Sequence, residues 1–368
     1  MDFTPSEGQC AARDLAADIF AGLSTPERLA SLGTGTDTEL WKALCATGLP
    51  EAVEETGLLG LALMLEEQGR TTAQVPFAAS CAFGLLPVAR HGSDAQRARL
   101  LPALRAGAAV VAGAFPRGAS GGVRAGADGT LTGVVPLVPW LQDATHVLVP
   151  AAAEGGGTGL YLLGIDDVGG AGVVEPVDTT APWRAGRLTL ADSPAEPLGP
   201  RDPGSSPGSS PPSLSPYADA LALARTAFAA LQAGVCAGSL ARAVAYVSER
   251  EQFGRPLATK QAVQLRAADA YMDVEAIRLT TYEAAWRRDE GLTAQTHALT
   301  AAWWAAEAGR RVVHTGQHLH GGVGADVEHP VHRHFLWGRQ LDAYLGSPPE
   351  LLAELGRTIA AEPVTEDM

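Results

Sequence analysis

Lysine is almost absent from this 368-residue chain, whose formal net charge is −14 at a pI near 5.1. Only Lys42 and Lys260 are lysines. Nucleic acids and anionic membranes both bind clusters of Lys and Arg, so neither is an expected partner of this acidic chain.

Cysteine is also scarce. The four cysteines have no C-x-x-C spacing and lie in apolar helical patterns, which favours buried free thiols; they are Cys10, Cys45, Cys81 and Cys236.

Targeting and membrane-spanning signals are missing as well. The first residues, MDFTPSEGQCAARDLA, are acidic and amphipathic, with neither a basic n-region nor an apolar h-region. No later uncharged run is long enough to span a bilayer. We therefore predict a cytoplasmic protein. Its length and its 46% hydrophobic residues predict two or three packed units.

The N-terminal part of the chain, residues 1–108, carries apolar residues at helical spacing and predicts an α-helical domain. Candidate N-caps precede three of the helical stretches: Thr4 or Ser6, Asp37 or Thr38, and Ser93 or Asp94. The predicted helices cover 5–20, 37–47, 58–69, 77–91 and 95–106.

The pattern changes in residues 109–200, where short β-like runs alternate with Gly and Pro. Asp128-Gly129 predicts a hairpin turn. Many short strands spaced in this way favour a small β-barrel or sandwich. Residues 201–216, RDPGSSPGSSPPSLSP, have the composition of a flexible linker. Residues 217–368 then predict a second helical unit.

The most informative stretch of that unit is 243–264, AVAYVSEREQFGRPLATKQAVQ. A long helical pattern ends near Gly254 and Pro256 and resumes near Thr259, a candidate N-cap, so two antiparallel helices are expected. Such a turn presents an Arg, an aromatic ring and backbone N–H groups at the foot of a helix, which suits an anionic phosphate ligand. The plain alternative is a helix hairpin with a surface arginine.

The turn also resembles a known family. Arg250-x-x-Phe253-Gly254-x-x-Leu257, followed by Gln261, is similar to the flavin-pyrophosphate segment of the acyl-CoA dehydrogenases. A second stretch, 317–324 (QHLHGGVG), resembles the Gln-x-x-Gly-Gly-x-Gly segment of the same family. The resemblance implies that both segments hold the ADP half of an FAD that lies in the neighbouring subunit. The residues implied are Arg250, Phe253, Gln261, Gln317, Gly321 and Gly322.

The resemblance also implies the fold, an α+β multidomain chain with an N-terminal helical domain, a middle β-barrel and a C-terminal helical bundle. Three regions depart from the family pattern. Residues 51–56 replace a Gly-rich loop, and 115–122 (FPRGASGG) replace a Thr-Glu-Pro-x-Ala-Gly-Ser-Asp loop that contacts the flavin ring. The Trp-centred motif survives only as 138–143 (VPWLQD). Because of these three departures, we expect the pocket for the flavin ring in this chain to be degenerate.

Desaturation of an acyl-CoA needs a carboxylate that removes the α-proton while the flavin takes the β-hydride. The family places this Glu at one of two positions, which Leu345 and Ala224 occupy here. The chain therefore lacks a catalytic base. The other nearby acids, Glu249, Glu350 and Glu354, are interpreted as solvated helix positions. His318 and His320 lack a third ligand type at suitable spacing, so no metal site is expected.

Intact ADP-side segments without a base resemble one subunit of the actinobacterial steroid side-chain acyl-CoA dehydrogenases, which are α2β2 heterotetramers. That resemblance implies a base-bearing homologous partner, an acyl-CoA substrate and an acceptor such as electron-transfer flavoprotein, in lipid or steroid β-oxidation. Two alternatives are a homo-oligomeric flavoprotein with different tailoring chemistry and a structural subunit without cofactor.

Overall fold

The computed structural model describes residues 2–115, 122–153, 156–168, 172–199 and 214–361. Helices occupy the first and last thirds of the chain and a sheet lies between them, so the predicted α+β multidomain class is confirmed. A π-helical turn, Ser80–Leu85, separates α5 from α6. The helices are α1 (Glu7–Leu23), α2 (Pro26–Leu32), α3 (Thr38–Ala46), α4 (Leu49–Thr71), α5 (Phe77–Ala79), α6 (Leu86–His91), α7 (Asp94–Arg105), α8 (Pro216–Glu249), α9 (Gln261–Asp289), α10 (Gln295–His320), α11 (Pro330–Leu341) and α12 (Pro348–Ala361).

Helices α1, α3 and α7 begin within two residues of the positions that the sequence predicts. Ser6 and Ser93 each accept a hydrogen bond from the N3 backbone, and the N3 glutamine side chain returns one to the cap, so both form capping boxes. Asp37 caps α3 by accepting from Leu40 N–H. Helix α2, capped by Thr25, is not predicted from the sequence.

The expectation that residues 51–56 form a loop is wrong, because α4 begins at Leu49 and includes them. The helix is broken at Gly57, whose φ of 71° and ψ of −165° suit only glycine. Beyond the break, the Leu58 and Leu59 N–H groups donate to Oδ1 and Oδ2 of Asp289, at 2.8 and 2.9 Å. A carboxylate at the end of α9 therefore caps the second half of α4.

The middle of the chain forms an eight-stranded sheet in the order β6-β7-β3-β2-β4-β5-β8, with β1 added in parallel to β4. Gly129, with φ of 86°, lies in the turn between β2 and β3, as the Asp128-Gly129 pair predicts. Short β2, β6 and β8 are absent from the sequence prediction. The strands are β1 (Val111–Gly113), β2 (Val123–Ala125), β3 (Thr130–Val138), β4 (His146–Ala153), β5 (Thr158–Gly164), β6 (Val173–Val177), β7 (Ala185–Pro194) and β8 (Glu196–Pro197).

Helix α8 is the central element of the C-terminal bundle and packs on α4, α9 and α10. It is long and apolar enough to cross a membrane, but 94% of its apolar window is buried inside the protein. We therefore interpret it as a core helix. It begins at Pro216 with Ser215 as N-cap, so the last two residues of the predicted linker belong to the helix start. Residues 201–213 of that linker lie outside the described ranges.

The joint between the sheet and the bundle is aromatic. Trp140 stacks on Trp183 with ring centroids 4.2 Å apart, and Trp183 meets the edge of Trp337 in α11. Phe228 of α8 lies 6.2 Å from Trp140 and 4.9 Å from Tyr344. One core cluster therefore runs from the N-terminal helices through this joint into the bundle.

All four cysteines are free thiols. Cys81 and Cys236 are buried, as the sequence predicts, whereas Cys10 and Cys45 are only partly buried. Burial raises the pKa of the Cys45 thiol to about 11.

Candidate functional site

The turn between α8 and α9 is a small antiparallel hairpin. Arg250 is the C-cap of α8, and strands β9 (Glu251–Gln252) and β10 (Arg255–Pro256) pair across Phe253-Gly254. Both turn residues have positive φ, 57° for Phe253 and 74° for Gly254. The Phe253 side chain is 94% exposed. An aromatic ring held in the open on a strained residue is a candidate contact for a ligand or a partner.

Positive groups concentrate around this hairpin. Neither the Arg250 nor the Arg255 guanidinium has an ion-pair partner in the described part of the chain, and Lys260 Nζ lies 5.4 Å from the centre of the Phe253 ring. Helix α9 begins at Gln261 without a side-chain cap. The prediction that Thr259 caps it is wrong, because the Thr259 hydroxyl donates to the Pro256 carbonyl at 2.7 Å.

The second predicted cofactor segment follows the end of α10. Gly321 terminates the helix with φ of 63°, and a Cβ added at Gly321 or Gly322 would meet no atom within 4 Å. The backbone here is therefore open to a ligand. Gln317 lies one turn earlier and donates from Nε2 to the Gly324 carbonyl at 3.1 Å, so its amide holds the short 3₁₀ turn Gly321–Ala325 in place.

The two segments lie at the same end of the bundle. The Tyr246 ring of α8 stacks on the His320 ring of α10, with centroids 4.8 Å apart. Beneath them, Val247 and Leu319 belong to one buried apolar cluster. His320 Nδ1 lies 2.7 Å from the Gly316 carbonyl, which requires this nitrogen to carry the proton. Within the described ranges, no group of three His, Cys, Asp or Glu residues could hold a metal ion.

These residues fit the anionic half of a dinucleotide. An uncapped helix start offers backbone donors in its first turn, and the helix dipole favours negative charge there. Arg250 supplies a guanidinium without a competing carboxylate, Phe253 an exposed ring face, and Gly321 an accessible backbone. The part that each residue plays in cofactor binding remains a prediction.

The two family positions for the base lie at the opposite end of α8. Ala224 is fully buried in the helix. Leu345 lines a cavity of about 550 Å³, together with Arg225. The Arg225 Nε donates to the Leu345 carbonyl at 3.4 Å. No carboxylate therefore extends from either position, although acids of α12 lie nearby.

The interpretation of Glu354 as a solvated acid is wrong. Arg225 Nη1 and Nη2 donate to Glu354 Oε1 and Oε2, each at 2.7 Å. The Arg225 side chain is 9% exposed and that of Glu354 is 32% exposed. Glu350 is exposed and accepts from the N–H and hydroxyl of Ser347. Glu249 is exposed at the end of α8, as expected.

The predicted flavin-ring region is described only in part. Residues 116–121 of the departing loop lie outside the described ranges, so its effect on the ring stays a prediction. Trp140 is 2% exposed and has a left-handed backbone, with φ of 58°. It contacts Trp183 and Phe228 in the joint described above.

The joint and the hairpin are far apart along α8. Phe228 touches the sheet side through Trp140, and Arg250 begins the hairpin 22 residues later. At 1.5 Å per residue this separates them by about 33 Å. Sequence reasoning identifies both ends but has no means to find the Arg225–Glu354 pair, because its partners are 129 residues apart.

Comparison with known proteins agrees with this architecture. Models described as "Acyl-CoA dehydrogenase, N-terminal domain" and "Acyl-CoA dehydrogenase, C-terminal domain" match residues 6–108 and 217–358. Acyl-CoA dehydrogenase FadE27 of Mycobacterium tuberculosis (strain ATCC 25618 / H37Rv) is 34% identical over 385 residues, which cover 99% of this chain and 100% of that protein. The chain belongs to the acyl-CoA dehydrogenase family.

Two solved acyl-CoA dehydrogenase assemblies are similar over their whole length. A variant of the Tcur3481-Tcur3483 steroid ACAD has a TM-score of 0.87 and 39% identity, covering 96% of this chain and 98% of its own. The ChsE4-ChsE5 complex from Mycobacterium tuberculosis has a TM-score of 0.88 and 32% identity, with 99% and 100% coverage. The predicted acyl-CoA dehydrogenase fold is thereby confirmed. The predicted FAD cofactor agrees with PigA, which is solved as an FAD complex and has the same fold, with a TM-score of 0.83 and 20% identity.

Proposed function

We propose that this chain is the base-lacking subunit of a heteromeric, FAD-dependent acyl-CoA dehydrogenase. It contributes the ADP-side contacts of an FAD site, while a homologous partner supplies the catalytic Glu. The assembly is an α2β2 complex located in the cytoplasm. Its reaction is the α,β-desaturation of an acyl-CoA, and the similarity to a steroid ACAD favours a steroid side-chain thioester as the acyl group.

One observation carries this proposal. Where the family has its base, this chain has Leu345, and Glu354, a carboxylate that lines the same cavity, is held on both oxygens by the buried Arg225 guanidinium. Both oxygens of Glu354 are therefore engaged in a bidentate, charge-assisted pair, which leaves this carboxylate bound to Arg225 rather than placed to act as a base. Without a positioned base the reaction loses about 10²–10⁴-fold in rate.

The span of α8 supports the sharing of one FAD between two chains. The hairpin of Arg250 and Phe253 lies about 33 Å from the sheet side of the same chain. Residues this far apart cannot hold opposite ends of one flavin site within one subunit. The hairpin therefore completes a site whose ring-side half comes from another chain, and two of the similar structures are heteromeric.

FAD, when bound, supplies the hydride acceptor of the desaturation. The contribution of this chain is binding. Arg250 would pair with the pyrophosphate, Phe253 would pack against the adenosine half, and Gln261 with the open start of α9 would donate hydrogen bonds. Gln317, Gly321 and Gly322 would complete the site at the end of α10. As the electron acceptor of the assembled enzyme we propose an electron-transfer flavoprotein.

Coexpression with a base-bearing homologue tests the proposal. We expect the chain alone to be inactive toward acyl-CoA substrates, and the copurified complex to hold one FAD per two unlike chains and to bleach at the flavin band when substrate is added. Changing the Glu of the partner to Gln should abolish bleaching while the flavin content stays constant. That variant tests whether the catalytic base comes from the partner subunit.

Two results would contradict the proposal. A yellow homo-oligomer of this chain that is bleached by an acyl-CoA on its own would support a homo-oligomeric flavoprotein instead. A complex whose flavin content is unaffected by changes at Arg250, Phe253 and Gln261 would support a structural subunit that binds no cofactor.

A further inference from the structure

Helix α9 leaves one of its faces exposed. Its buried residues pack on α4, α8 and α10. On the opposite side, Leu265, Met272 and Leu279 are 59%, 62% and 52% exposed. Residues seven apart return to nearly the same side of a helix, so these three lie in one row about 21 Å long. A row of large exposed apolar side chains marks an interaction surface.

Two alanines complete this row. Ala268 is exposed and Ala276 is partly exposed. Each alanine lies four residues from Met272, while Leu265 and Leu279 each lie seven residues from it. At about 100° per residue, all five residues point within about 40° of the Met272 direction. These five residues are the α9 stripe, and their order is the same when it is read outward from Met272 in either direction.

Most charged side chains beside the stripe are paired within the chain itself. Asp273 Oδ1 and Oδ2 accept from Nη2 and Nε of Arg311 in α10, at 2.7 and 3.0 Å. Glu275 accepts from Arg278, whose guanidinium also binds the buried Glu66 of α4. These charges stay paired when a second surface covers the stripe, so covering it costs less than burying lone charges would. The two other charged residues on this side of α9 have opposite signs and are exposed: Arg266 and Asp269.

The order of residues in the stripe identifies what covers it. In an antiparallel pair, a two-fold axis places each residue opposite the one that lies equally far beyond the axis in the second copy. With the axis at Met272, Leu265 packs on Leu279 of the second copy, Ala268 on Ala276, and Met272 on its own counterpart. The alanines let the two helices approach closely between the leucines. An unlike partner would place no such requirement on the order of residues.

We propose that α9 forms a contact between two copies of this chain, in which the two helices pack antiparallel about a two-fold axis at Met272. The stripe begins one turn after Gln261, so it continues from the hairpin along the surface of the bundle. In the α2β2 assembly the contact would join the two unlike pairs, and that placement rests on the proposed function. The contact between two copies does not, so the two ideas can fail separately.

Single cysteines test the symmetry of the contact. The background is the full chain with Cys10→Ser and Cys45→Ser, which removes the two thiols that are only partly buried. Oxidation with copper phenanthroline should link two Met272→Cys chains, because each thiol faces its own counterpart. Leu265→Cys alone should give no linked pair, since its counterpart lies about 21 Å away. Coexpressed Leu265→Cys and Leu279→Cys chains should link to each other.

Leu15→Cys, on the exposed face of α1, is the control and should give no linked pair. The absence of a linked pair from Met272→Cys would overturn the proposal. A linked pair from Leu265→Cys alone would do the same, because it would place the axis elsewhere on the helix.

A charge on the axis should separate the two copies. Met272→Glu brings two carboxylates face to face in an apolar contact, so the dissociation constant of the pair should rise about 100-fold. Sedimentation velocity of the full chain at several concentrations measures this change, with Leu15→Glu as the matched control. Because Met272 is 62% exposed, the variant should keep the thermal midpoint of the parent chain. An unchanged dissociation constant would refute the contact.

The copurified complex distinguishes a second copy from the unlike partner as the occupant. Met272→Glu should halve the mass of the complex, from α2β2 to one unlike pair, while the flavin content per pair stays constant. Separation of the unlike chains instead would show that the partner covers the stripe and would overturn the proposal. If the homologue does not copurify at all, that result counts against the proposed function, and crosslinking of the Met272→Cys chain still decides on the contact between copies.

Discussion

Tyr246 and His320 stack with their ring planes 23° apart, and this contact joins the last turn of α8 to the last turn of α10. The hairpin begins four residues after Tyr246, and Gly321 follows His320 directly. The spacing between the two predicted cofactor segments is therefore set by one ring pair and the apolar cluster beneath it.

Replacement of Arg250 by Ala should weaken FAD binding in the assembled complex about 10- to 100-fold, because a charge-assisted hydrogen bond to a phosphate contributes about 1.5–3 kcal/mol. Phe253→Ala should act in the same direction. Flavin fluorescence during titration of the apo-complex measures both. Arg124→Ala, an exposed arginine on β2, is the matched control. Equal affinity in all variants would remove the hairpin from the cofactor site.

The Arg225–Glu354 pair predicts an unequal response to its two single variants. Glu354→Gln leaves the buried guanidinium without its counter-charge and should cost about 3 kcal/mol. Arg225→Met leaves a carboxylate that water can reach and should cost about 1 kcal/mol. Thermal midpoints should rank in that order, with the double variant above Glu354→Gln alone. Equal midpoints for the two single variants would show that burial of the cation is unimportant.

The contacts of Asp219 in α8 with His91 of α6 and Arg288 of α9 predict that the stability of the fold falls in acid. Burial opposes its ionisation, but His91 at 2.7 Å and Arg288 at 2.9 Å outweigh it and lower the pKa to about 2. An acid with a depressed pKa stabilises the fold above its unfolded pKa and loses that effect as pH falls toward the folded value. The contribution is about 2 kcal/mol near neutral pH and about half of that at pH 3.

The thermal midpoint of Asp219→Asn should therefore lie well below that of the parent chain at pH 7, and the gap should narrow between pH 5 and pH 3. Asp14→Asn, an exposed position on α1, serves as the control and should show no such convergence. A gap that stays constant with pH would mean that the ionised carboxylate is not the stabilising form.

Gly57 should tolerate no side chain. A Cβ there would lie 2.6 Å from Asp289 Oδ2, and the backbone angles are closed to other residues. Gly57→Ala should cost about 2 kcal/mol or more. Gly22→Ala in α1, where a Cβ meets nothing within 4 Å, should be neutral or raise the midpoint. Similar changes in thermal midpoint for both variants would contradict the requirement for glycine at position 57.

Local chemistry explains which elements the sequence predicts. The side chains of Ser6, Asp37 and Ser93 each accept a hydrogen bond from the backbone N–H three residues later. The local sequence is therefore enough to propose these residues as candidate caps. The loop expected at 51–56 follows from the family resemblance, and the structure has a helix there instead. The group that caps this helix after Gly57, Asp289, is more than 200 residues away, so no local signal reveals it.

The candidate site also has parts that local sequence motifs predict and parts that depend on contacts between distant segments. The hairpin and the glycine segment carry their own motifs, and the structure brings both to one end of the bundle. The environment of Leu345 depends on Arg225 and on its contacts with α12, which begins at Pro348. Contacts of this kind join distant segments, and single-sequence patterns contain no signal for them.

The stacked indoles of Trp140 and Trp183 give the chain an optical signature. Two indole rings with centroids 4.2 Å apart couple their strong transitions, which produces a pair of far-ultraviolet circular dichroism bands of opposite sign. Trp140 lies in the turn after β3 and contacts Phe228 of α8, and Trp183 lies before β7 and contacts Trp337 of α11. Loss of this band pair while helical ellipticity persists would register the moment at which the sheet lifts away from an intact bundle.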